Sequence, residues 1–443
     1  MNSNAPNSNA MNSILFTNAR LVDPWTHRDE ISSLLVSDGV IAGFGEDAVK
    51  TAPAECQRID ATGLCLAPGL VDMRVHLREP GHEHVETLEE IAKAAASGGV
   101  TSVVGLPNTD PVVDDASLVD FVTRRARRTG LVRLHTYGAV THGLAGKNIT
   151  EMGLLAQAGA LGFTDGVKPV ASAMVMRRAL SYARTFDQLV MQHPEEPKLA
   201  DGGAATEGEM ATRMGLPGIP EVAELMMLER DLRLVELTGG RYHAAHISTA
   251  GAVEAIRQAK AKGLPVTCDT TPPYFTLNET AIDGYSTHAK LSPPLRSETH
   301  RRAVLQGLAD GTIDAIASDH AAVDEDEKRV PFTSATPGAV GLETLLPLSL
   351  GLYHRGEMPL QLVLRALTQG PADILRLPVG RLSLGAIADL VLFDLDRPWR
   401  IDAGQFHSGA TNTPFHGLPV QGKVVATFVG GRQTYSETAH SDA

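Results

Sequence analysis

Cysteine is scarce in this sequence, and its pattern excludes two classes of protein. Only three cysteines occur, Cys56, Cys65 and Cys268, and their spacing matches neither a metal site nor a redox motif. A disulfide scaffold or a thiolate metal centre needs several cysteines at short, recurring intervals. We therefore expect reduced thiols in the core or at the surface, without a chemical role.

Long apolar runs are also absent. No run approaches the roughly 20 residues that a membrane-spanning helix requires. The start of the chain is polar and of low complexity, and it lacks the apolar centre of a signal peptide. We expect a disordered tail over residues 1–12 and a cytoplasmic protein.

Basic residues are outnumbered by acidic ones. The chain has 39 Lys and Arg against 52 Asp and Glu, a net charge of −13, and no basic cluster. Nucleic acids and anionic membrane surfaces bind basic patches, so the charge argues against both as partners. We expect a small-molecule substrate instead, and assembly as a homo-oligomer.

What the sequence does contain is an alternation of apolar strands and amphipathic helices. Eight such strand–helix units predict an α/β fold with a parallel sheet closed into a (β/α)8 barrel. The predicted strands are residues 65–71, 102–106, 134–139, 160–163, 189–192, 242–246, 265–268 and 313–317, and the predicted helices include 85–97, 118–128, 174–184, 219–237 and 252–262.

The first of these strands ends in polar side chains before the chain breaks at Pro80-Gly81. Residues two apart on a strand point to the same face, so Arg74 and His76 are predicted to face one cavity, with Asp72 on the same side. In an α/β barrel the chemistry is carried by the carboxyl ends of the strands. This strand end is therefore the first candidate for a site.

Other predicted strands end in similar side chains. Asn108, His193, His246 and Asp319 each lie at or just after a strand end, so we expect them to meet His76 at one barrel mouth. A single histidine at a strand end is usually structural, but several converging ones are typical of a functional site. Three imidazoles and one carboxylate form a donor set that suits zinc.

The string VDMRVHLREPG, residues 71–81, resembles the dihydroorotase family, type I branch, of the amidohydrolase superfamily. Four further strings resemble that family: residues 215–220, 293–296, 311–314 and 341–344. The resemblance implies an amidohydrolase barrel over residues 67–377. It also implies a small β-sandwich domain built from residues 13–66 and 378–435.

The resemblance implies a reaction and roles for residues. Dihydroorotases interconvert N-carbamoyl-L-aspartate and dihydroorotate in pyrimidine biosynthesis, using hydroxide activated by zinc. By this match Asp319 is the catalytic acid and base, and Arg78 and Asn108 bind the substrate carboxylate. The residues matched to metal ligands are His76, His193, His246 and Asp319.

The sequence departs from the family at several of these positions. Arg74 stands where the family has the first metal-binding histidine, and a guanidinium cannot ligate a metal. Gly166 stands where the family has a carboxylate that bridges two metals. Asp165 is one position away, on the opposite side of the strand unless the strand end is irregular. Ser292 and Val323 replace two substrate-binding residues.

We therefore expect one zinc ion rather than two, with a metal-free centre as the remaining alternative. In the metal-free case Arg74 would stand in for the missing cation and pair with Asp319 or Asp165.

Three functions are compatible with this pattern. The first is a dihydroorotase, impaired or with one metal. The second is a non-catalytic dihydroorotase-like subunit that scaffolds aspartate carbamoyltransferase, which needs the barrel but not the ligands. The third, an allantoinase or dihydropyrimidinase, is weaker because such enzymes use a carboxylated lysine on strand four, and Lys168 lies beyond that strand end. The loop at residues 322–338 is predicted to cover the mouth, either as a lid or as a plain surface excursion.

Overall fold

The computed structural model describes residues 13–437, so the tail predicted at residues 1–12 lies outside the described residues. The strands are β1 (Ser13–Asp23), β2 (Arg28–Ser37), β3 (Val40–Phe44), β4 (Gln57–Asp60), β5 (Cys65–Pro68), β6 (Leu70–Val75), β7 (Val100–Gly105), β8 (Arg133–Thr136), β9 (Leu189–Gln192), β10 (Ala205–Thr206), β11 (Gly218–Ile219), β12 (Arg241–Ala244), β13 (Val266–Thr270), β14 (Ala315–Ile316), β15 (Leu390–Arg400), β16 (Pro419–Val429) and β17 (Arg432–Ser436).

The helices lie mostly between the strands of the central part of the chain. They are α1 (Gly45–Thr51), α2 (Leu88–Ser97), α3 (Ala116–Thr129), α4 (Met152–Ala158), α5 (Ala173–Thr185), α6 (Pro197–Ala200), α7 (Glu209–Met214), α8 (Val222–Thr238), α9 (Ala250–Ala261), α10 (Pro272–Thr276), α11 (Glu298–Ala309), α12 (Glu325–Lys328), α13 (Leu345–His354), α14 (Leu360–Leu367) and α15 (Gln369–Leu375). None of these helices is long and apolar enough to cross a membrane.

The parallel strands form a closed ring. Strands β6, β7 and β8 pair side by side, as do β9, β12, β13 and β14. Single bridges complete the circle: Phe163 pairs with both Gly138 and Val190, and His320 pairs with Val75 of β6. The ring therefore has eight positions, which confirms the predicted (β/α)8 barrel.

The fourth position of the ring is shorter than predicted. A strand is predicted over residues 160–163. Leu161 and Gly162 make backbone hydrogen bonds to the β8 side of the ring, but only Phe163 forms bridges to both neighbouring positions. Gly159 and Gly166 bracket this segment with φ angles of 111° and 67°, so the chain turns out of the extended conformation on both sides.

Two helices begin later than their apolar periodicity predicted. Helix α2 starts at Leu88 because Thr87 caps it: the Thr87 side chain accepts from the Glu90 amide, and the Glu90 carboxylate accepts from the Thr87 amide. Helix α8 starts at Val222 because Pro220 and the short strand β11 precede it.

The two ends of the chain combine in one sheet beside the barrel. Its strand order is β17-β16-β15-β5-β1-β2-β3, with β4 paired to β1. In its core the Phe16 and Phe428 rings meet edge to face, with centroids 5.1 Å apart. The predicted joining of N- and C-terminal segments is thus present, while the exact domain boundaries stay predictions.

The three cysteines are buried and unbridged. Cys268 lies in strand β13 and Cys65 in β5, so both contribute apolar volume to the core.

Candidate functional site

A cavity of about 380 Å³ opens at the barrel mouth, at the carboxyl ends of the ring strands. Its wall is formed by residues that follow strands β6, β7, β13 and β14 and by residues of longer loops, at 291–292 and 336–339. The polar residues lining it include His76, Arg78, Asn108, Thr271, Tyr274, Ser292, Ser318 and Asp319. The cavity therefore gathers most of the strand-end residues that the sequence indicated.

Arg74 lies at the base of this region and is fully buried. Its Nε donates a hydrogen bond to Asp319 Oδ1 over 2.7 Å, and its Nη1 lies 3.8 Å from Met191 Sδ. Its Nη2 is buried without a hydrogen-bond partner among the described residues. The predicted ion pair of Arg74 is present, and its partner is Asp319.

The three predicted histidines extend this ion pair into a network. His246 Nδ1 lies 3.2 Å from Asp319 Oδ2, and His193 Nδ1 lies 2.8 Å from His246 Nε2. His76 Nε2 is 3.4 Å from Asp319 Oδ1. The four predicted ligands therefore converge as expected, but they contact one another and Arg74 directly.

The backbone at two of these residues is held in an uncommon conformation. His246 and Asp319 have φ angles of 38° and 50°, in the left-handed region that residues other than glycine seldom adopt. Such strain clusters at functional sites and needs support from its surroundings. Asp269 gives that support at His246, because its Oδ1 accepts from the His246 amide over 2.6 Å while its Oδ2 lies 3.0 Å from His243 Nε2.

The charge of the Asp319 carboxylate is compensated by the neighbouring Arg74 guanidinium. Burial by itself would raise the pKa of Asp319, but the Arg74 guanidinium and His246 hold that pKa well below its usual range. Burial lowers the pKa of His246 to about 4, and the charge of Arg74 acts in the same direction. At neutral pH the Asp319 carboxylate is therefore anionic beside the Arg74 guanidinium, and the His246 imidazole next to it is neutral.

This arrangement does not fit the zinc ion that the family resemblance implies. Within residues 13–437 no three His, Cys, Asp or Glu side chains are arranged to hold a metal. Nitrogens that share a tetrahedral zinc lie about 3.3 Å apart, since each Zn–N bond is about 2.0 Å. His193 Nδ1 and His246 Nε2 are 2.8 Å apart, as in a direct hydrogen bond. The zinc ligand set stays a prediction, and no chemical step below relies on it.

The fourth ring position offers no carboxylate to the cavity. Asp165 Oδ1 accepts from the Thr141 amide over 2.9 Å, and its Oδ2 bonds to the Thr141 hydroxyl. Gly166 has a left-handed φ of 67°, and a Cβ there would lie 3.3 Å from Asn108 Oδ1. Both carboxylate oxygens of Asp165 are therefore bound by Thr141, which agrees with the prediction that this residue lies on the opposite side of the strand from position 166.

Arg78 and Asn108 stand on the wall of the cavity. Arg78 Nε donates to the Ala322 carbonyl over 2.8 Å, which leaves both terminal nitrogens without a hydrogen-bond partner among the described residues. Asn108 Nδ2 lies 3.3 Å from His76 Nδ1, while its buried Oδ1 has no partner there either. The terminal nitrogens of Arg78 and the Oδ1 of Asn108 are therefore available to bind a ligand.

Ser292 and Val323, which stand where the family has substrate-binding residues, line two different cavities. Ser292 lines the same cavity as Arg78. Val323 lines a neighbouring cavity instead, and its amide donates to Asn412 Oδ1 over 3.1 Å.

The loop at residues 322–338 covers one side of the cavity, with Thr336, Pro337 and Gly338 in its wall. A buried lysine fastens this loop: Lys328 Nζ donates to the carbonyls of Thr287, at 3.2 Å, and Thr336, at 2.7 Å. Burial lowers the pKa of Lys328 to about 8, and Lys290 adds to the effect. Movement of this loop as a lid stays a prediction.

The low pKa of Lys328 predicts how stability depends on pH. Between about 8, the folded pKa, and 10.5, the ordinary value, the unfolded chain binds more protons. The stability contribution of this lysine therefore rises with pH through that window. From pH 7 to pH 9.5 we expect wild type to gain about 2 kcal/mol relative to Lys328→Met, measured by urea unfolding at both values. Equal pH dependence of the two proteins would contradict this.

Three acidic residues near the site, Glu195, Glu86 and Asp269, were not identified from the sequence. Glu195 Oε1 lies 3.5 Å from His193 Nε2, and Glu86 Oε2 lies 3.0 Å from His320 Nε2. Glu195 follows a strand-end histidine by two residues, a signal that was available. Glu86 and Asp269 gave none, because their partners are distant in the chain.

Comparison with known proteins identifies the family of the chain. A family profile described as "Dihydro-orotase-like" matches residues 63–252. The chain is 45% identical to a dihydroorotase of Syntrophotalea carbinolica, over 95% of this chain and 99% of that protein. It is also 45% identical to a dihydroorotase of Anaplasma phagocytophilum, over 95% of each chain.

Solved structures resemble this chain over nearly its whole length. An L-hydantoinase (dihydropyrimidinase) from Arthrobacter aurescens has a TM-score of 0.84 and 27% sequence identity, with 95% of both chains covered. A dihydropyrimidinase from Brevibacillus agri has a TM-score of 0.81 at 23% identity, covering 95% of this chain and 94% of that one.

Proposed function

The chain belongs to the dihydroorotase family of cyclic amidohydrolases, and from this premise we propose that it interconverts N-carbamoyl-L-aspartate and dihydroorotate, with slow turnover. The observation that carries the proposal is the cavity in which Arg78, Asn108 and Asp319 share one wall. A cation, an amide and a carboxylate are the groups that an anionic cyclic amide requires for binding and proton transfer.

Arg78 and Asn108 bind the substrate in this proposal. The two terminal nitrogens of Arg78 take the substrate carboxylate, and burial, which lowers the pKa of Arg78, favours an anion beside it. The unpartnered Asn108 Oδ1 accepts a hydrogen bond from a ring N–H of the substrate. These two contacts fix the ring so that its amide carbonyl faces Asp319.

Asp319 carries the proton. In hydrolysis, water adds to the ring carbonyl carbon, the C–N bond of the ring breaks, and the water proton passes through Asp319 to the leaving nitrogen. Because Arg74 and His246 hold the pKa of Asp319 well below its usual range, the carboxylate is a weak base. This is the physical reason to propose slow turnover.

The setting in the cell is part of the same proposal. We propose a cytoplasmic enzyme of pyrimidine biosynthesis that acts on a small molecule and assembles as a homo-oligomer. The centre holds at most one zinc ion, since Asp319, one of the predicted ligands, is already paired with Arg74.

One observation favours a second candidate, the non-catalytic subunit that scaffolds aspartate carbamoyltransferase. The Arg74–Asp319 ion pair keeps the centre folded with its catalytic carboxylate already engaged. A scaffold requires the barrel, whose ring is closed.

The decisive experiment is an assay of dihydroorotate hydrolysis by the purified protein, with and without added zinc. We expect slow turnover that Asp319→Asn abolishes and that the control Asp120→Asn, on an exposed face of α3, leaves unchanged. Absence of turnover under both conditions, together with co-purification of an aspartate carbamoyltransferase, would overturn the enzymatic proposal and support the scaffold.

A further inference from the structure

We propose that the Arg74 guanidinium takes the place of a metal ion in this centre, as a permanent cation that neutralises Asp319 and excludes divalent metals. This goes beyond the proposed function, because it concerns how the centre is held together whether or not it turns over substrate.

The first support is the position of the positive charge. Arg74 is fully buried, and its Nε lies 2.7 Å from Asp319 Oδ1, where it acts as the counter-ion that a buried carboxylate requires. The side chain of Asp319 is itself only 19% exposed. A divalent ion beside the guanidinium would add a second cation at close range in a region of low dielectric, which is unfavourable.

The second support is the use of the lone pairs. A neutral imidazole has one donor and one acceptor nitrogen. When His246 Nδ1–H donates to Asp319 Oδ2, its Nε2 must accept, and the group that donates to it is His193 Nδ1–H. The contact with Asp319 fixes the tautomer of His246, and the contact with His193 occupies its one lone pair. A metal would have to displace His193 from Nε2 to reach that lone pair.

The third support is the location of residue 74 in its strand. Arg74 and His76 lie two apart at the end of β6, on the face that meets Asp319. A shorter imidazole at position 74 would share that face with His76 and Asp319, and the space of the guanidinium would become free. Three donors of types that zinc prefers would then surround one point.

The test measures metal content and does not depend on activity. Wild type and Arg74→His are expressed with zinc, passed over a desalting column and analysed for bound metal, and each is titrated with Co²⁺ while the visible absorbance is followed. We expect wild type to retain no stoichiometric zinc and to show no tetrahedral Co²⁺ band. We expect Arg74→His to retain about one ion per chain and to show that band.

Two controls keep the result interpretable. Arg74→Lys keeps a cation at the position and should remain free of metal. Arg133→His alters another ion pair, that of Arg133 with Asp389 at 2.7 Å, and should gain no metal. The thermal midpoint of wild type should not change with zinc or with a chelator, and this measurement decides the matter if Arg74→His fails to fold.

Stoichiometric zinc in wild type, or a zinc-dependent thermal midpoint, would overturn the proposal. A folded Arg74→His protein without metal would overturn it as well. Wild type that is free of metal and inactive would support this inference and contradict the proposed enzymatic function, so the two can fail separately.

Discussion

Replacing Arg74 with methionine is expected to lower the free energy of unfolding by about 3 kcal/mol. The substitution fills similar volume but removes the hydrogen-bonded cation 2.7 Å from Asp319 Oδ1. The carboxylate then remains in a mostly buried position with only neutral imidazoles beside it, and loss of one partner of a buried pair typically has this cost. Urea unfolding at pH 7, followed by circular dichroism, measures the change.

A second substitution separates the ion pair from simple packing. Asp319→Leu alone leaves Arg74 buried and unpaired, whereas the double variant with Arg74→Met removes both charges. We expect the double variant to be considerably more stable than the sum of the two single changes predicts. Additive effects would show that the two side chains do not stabilise each other.

Replacing Arg78 with alanine is expected to weaken the binding of N-carbamoyl-L-aspartate about 100-fold, a loss of about 2.7 kcal/mol. The guanidinium is partly buried, is fastened through Nε to the Ala322 carbonyl, and has two terminal nitrogens available for a carboxylate. A two-point hydrogen bond to a carboxylate in a partly desolvated site contributes on this scale. Isothermal titration calorimetry measures the affinity without any need for turnover.

Arg127→Ala is the matched control, since it removes an exposed arginine of helix α3. It should leave the affinity unchanged. Arg78→Lys should recover only part of the loss, because an ammonium offers no planar pair of donors. Unaltered binding by Arg78→Ala would place the substrate carboxylate elsewhere in the cavity.

The convergence of the site could be predicted from the sequence because it follows from topology alone. Once eight strand–helix units predict a closed barrel, residues at the carboxyl ends of its strands must share one mouth. His76, His193, His246 and Asp319 meet there for this reason. That Arg74 pairs with a carboxylate could also be predicted, because a buried guanidinium requires an anion. The sequence left Asp319 and Asp165 as alternatives, and the structure shows Asp319.

The contacts within the site could not be predicted in the same way. The left-handed conformations of His246 and Asp319 leave no trace in apolar periodicity, although they decide where both side chains point. The role of Asp269 beneath His246 depends on the register of β12 against β13, which the chain acquires only on folding. The predicted strand over residues 160–163 likewise gave no sign that only Phe163 would form bridges to both neighbouring positions.

The residues that close the ring also hold the site together, so the site forms on folding only when the ring closes. His320 bridges Val75, its carbonyl accepts from the His76 amide over 2.8 Å, and the Ser318 amide donates to Asp72 Oδ1 over 3.2 Å. The residues that join the last strand to the first therefore flank Asp319, Arg74 and His76. A chain that ended before residue 313 would lack both Asp319 and the strand that closes the ring. The centre therefore forms only when the barrel closes.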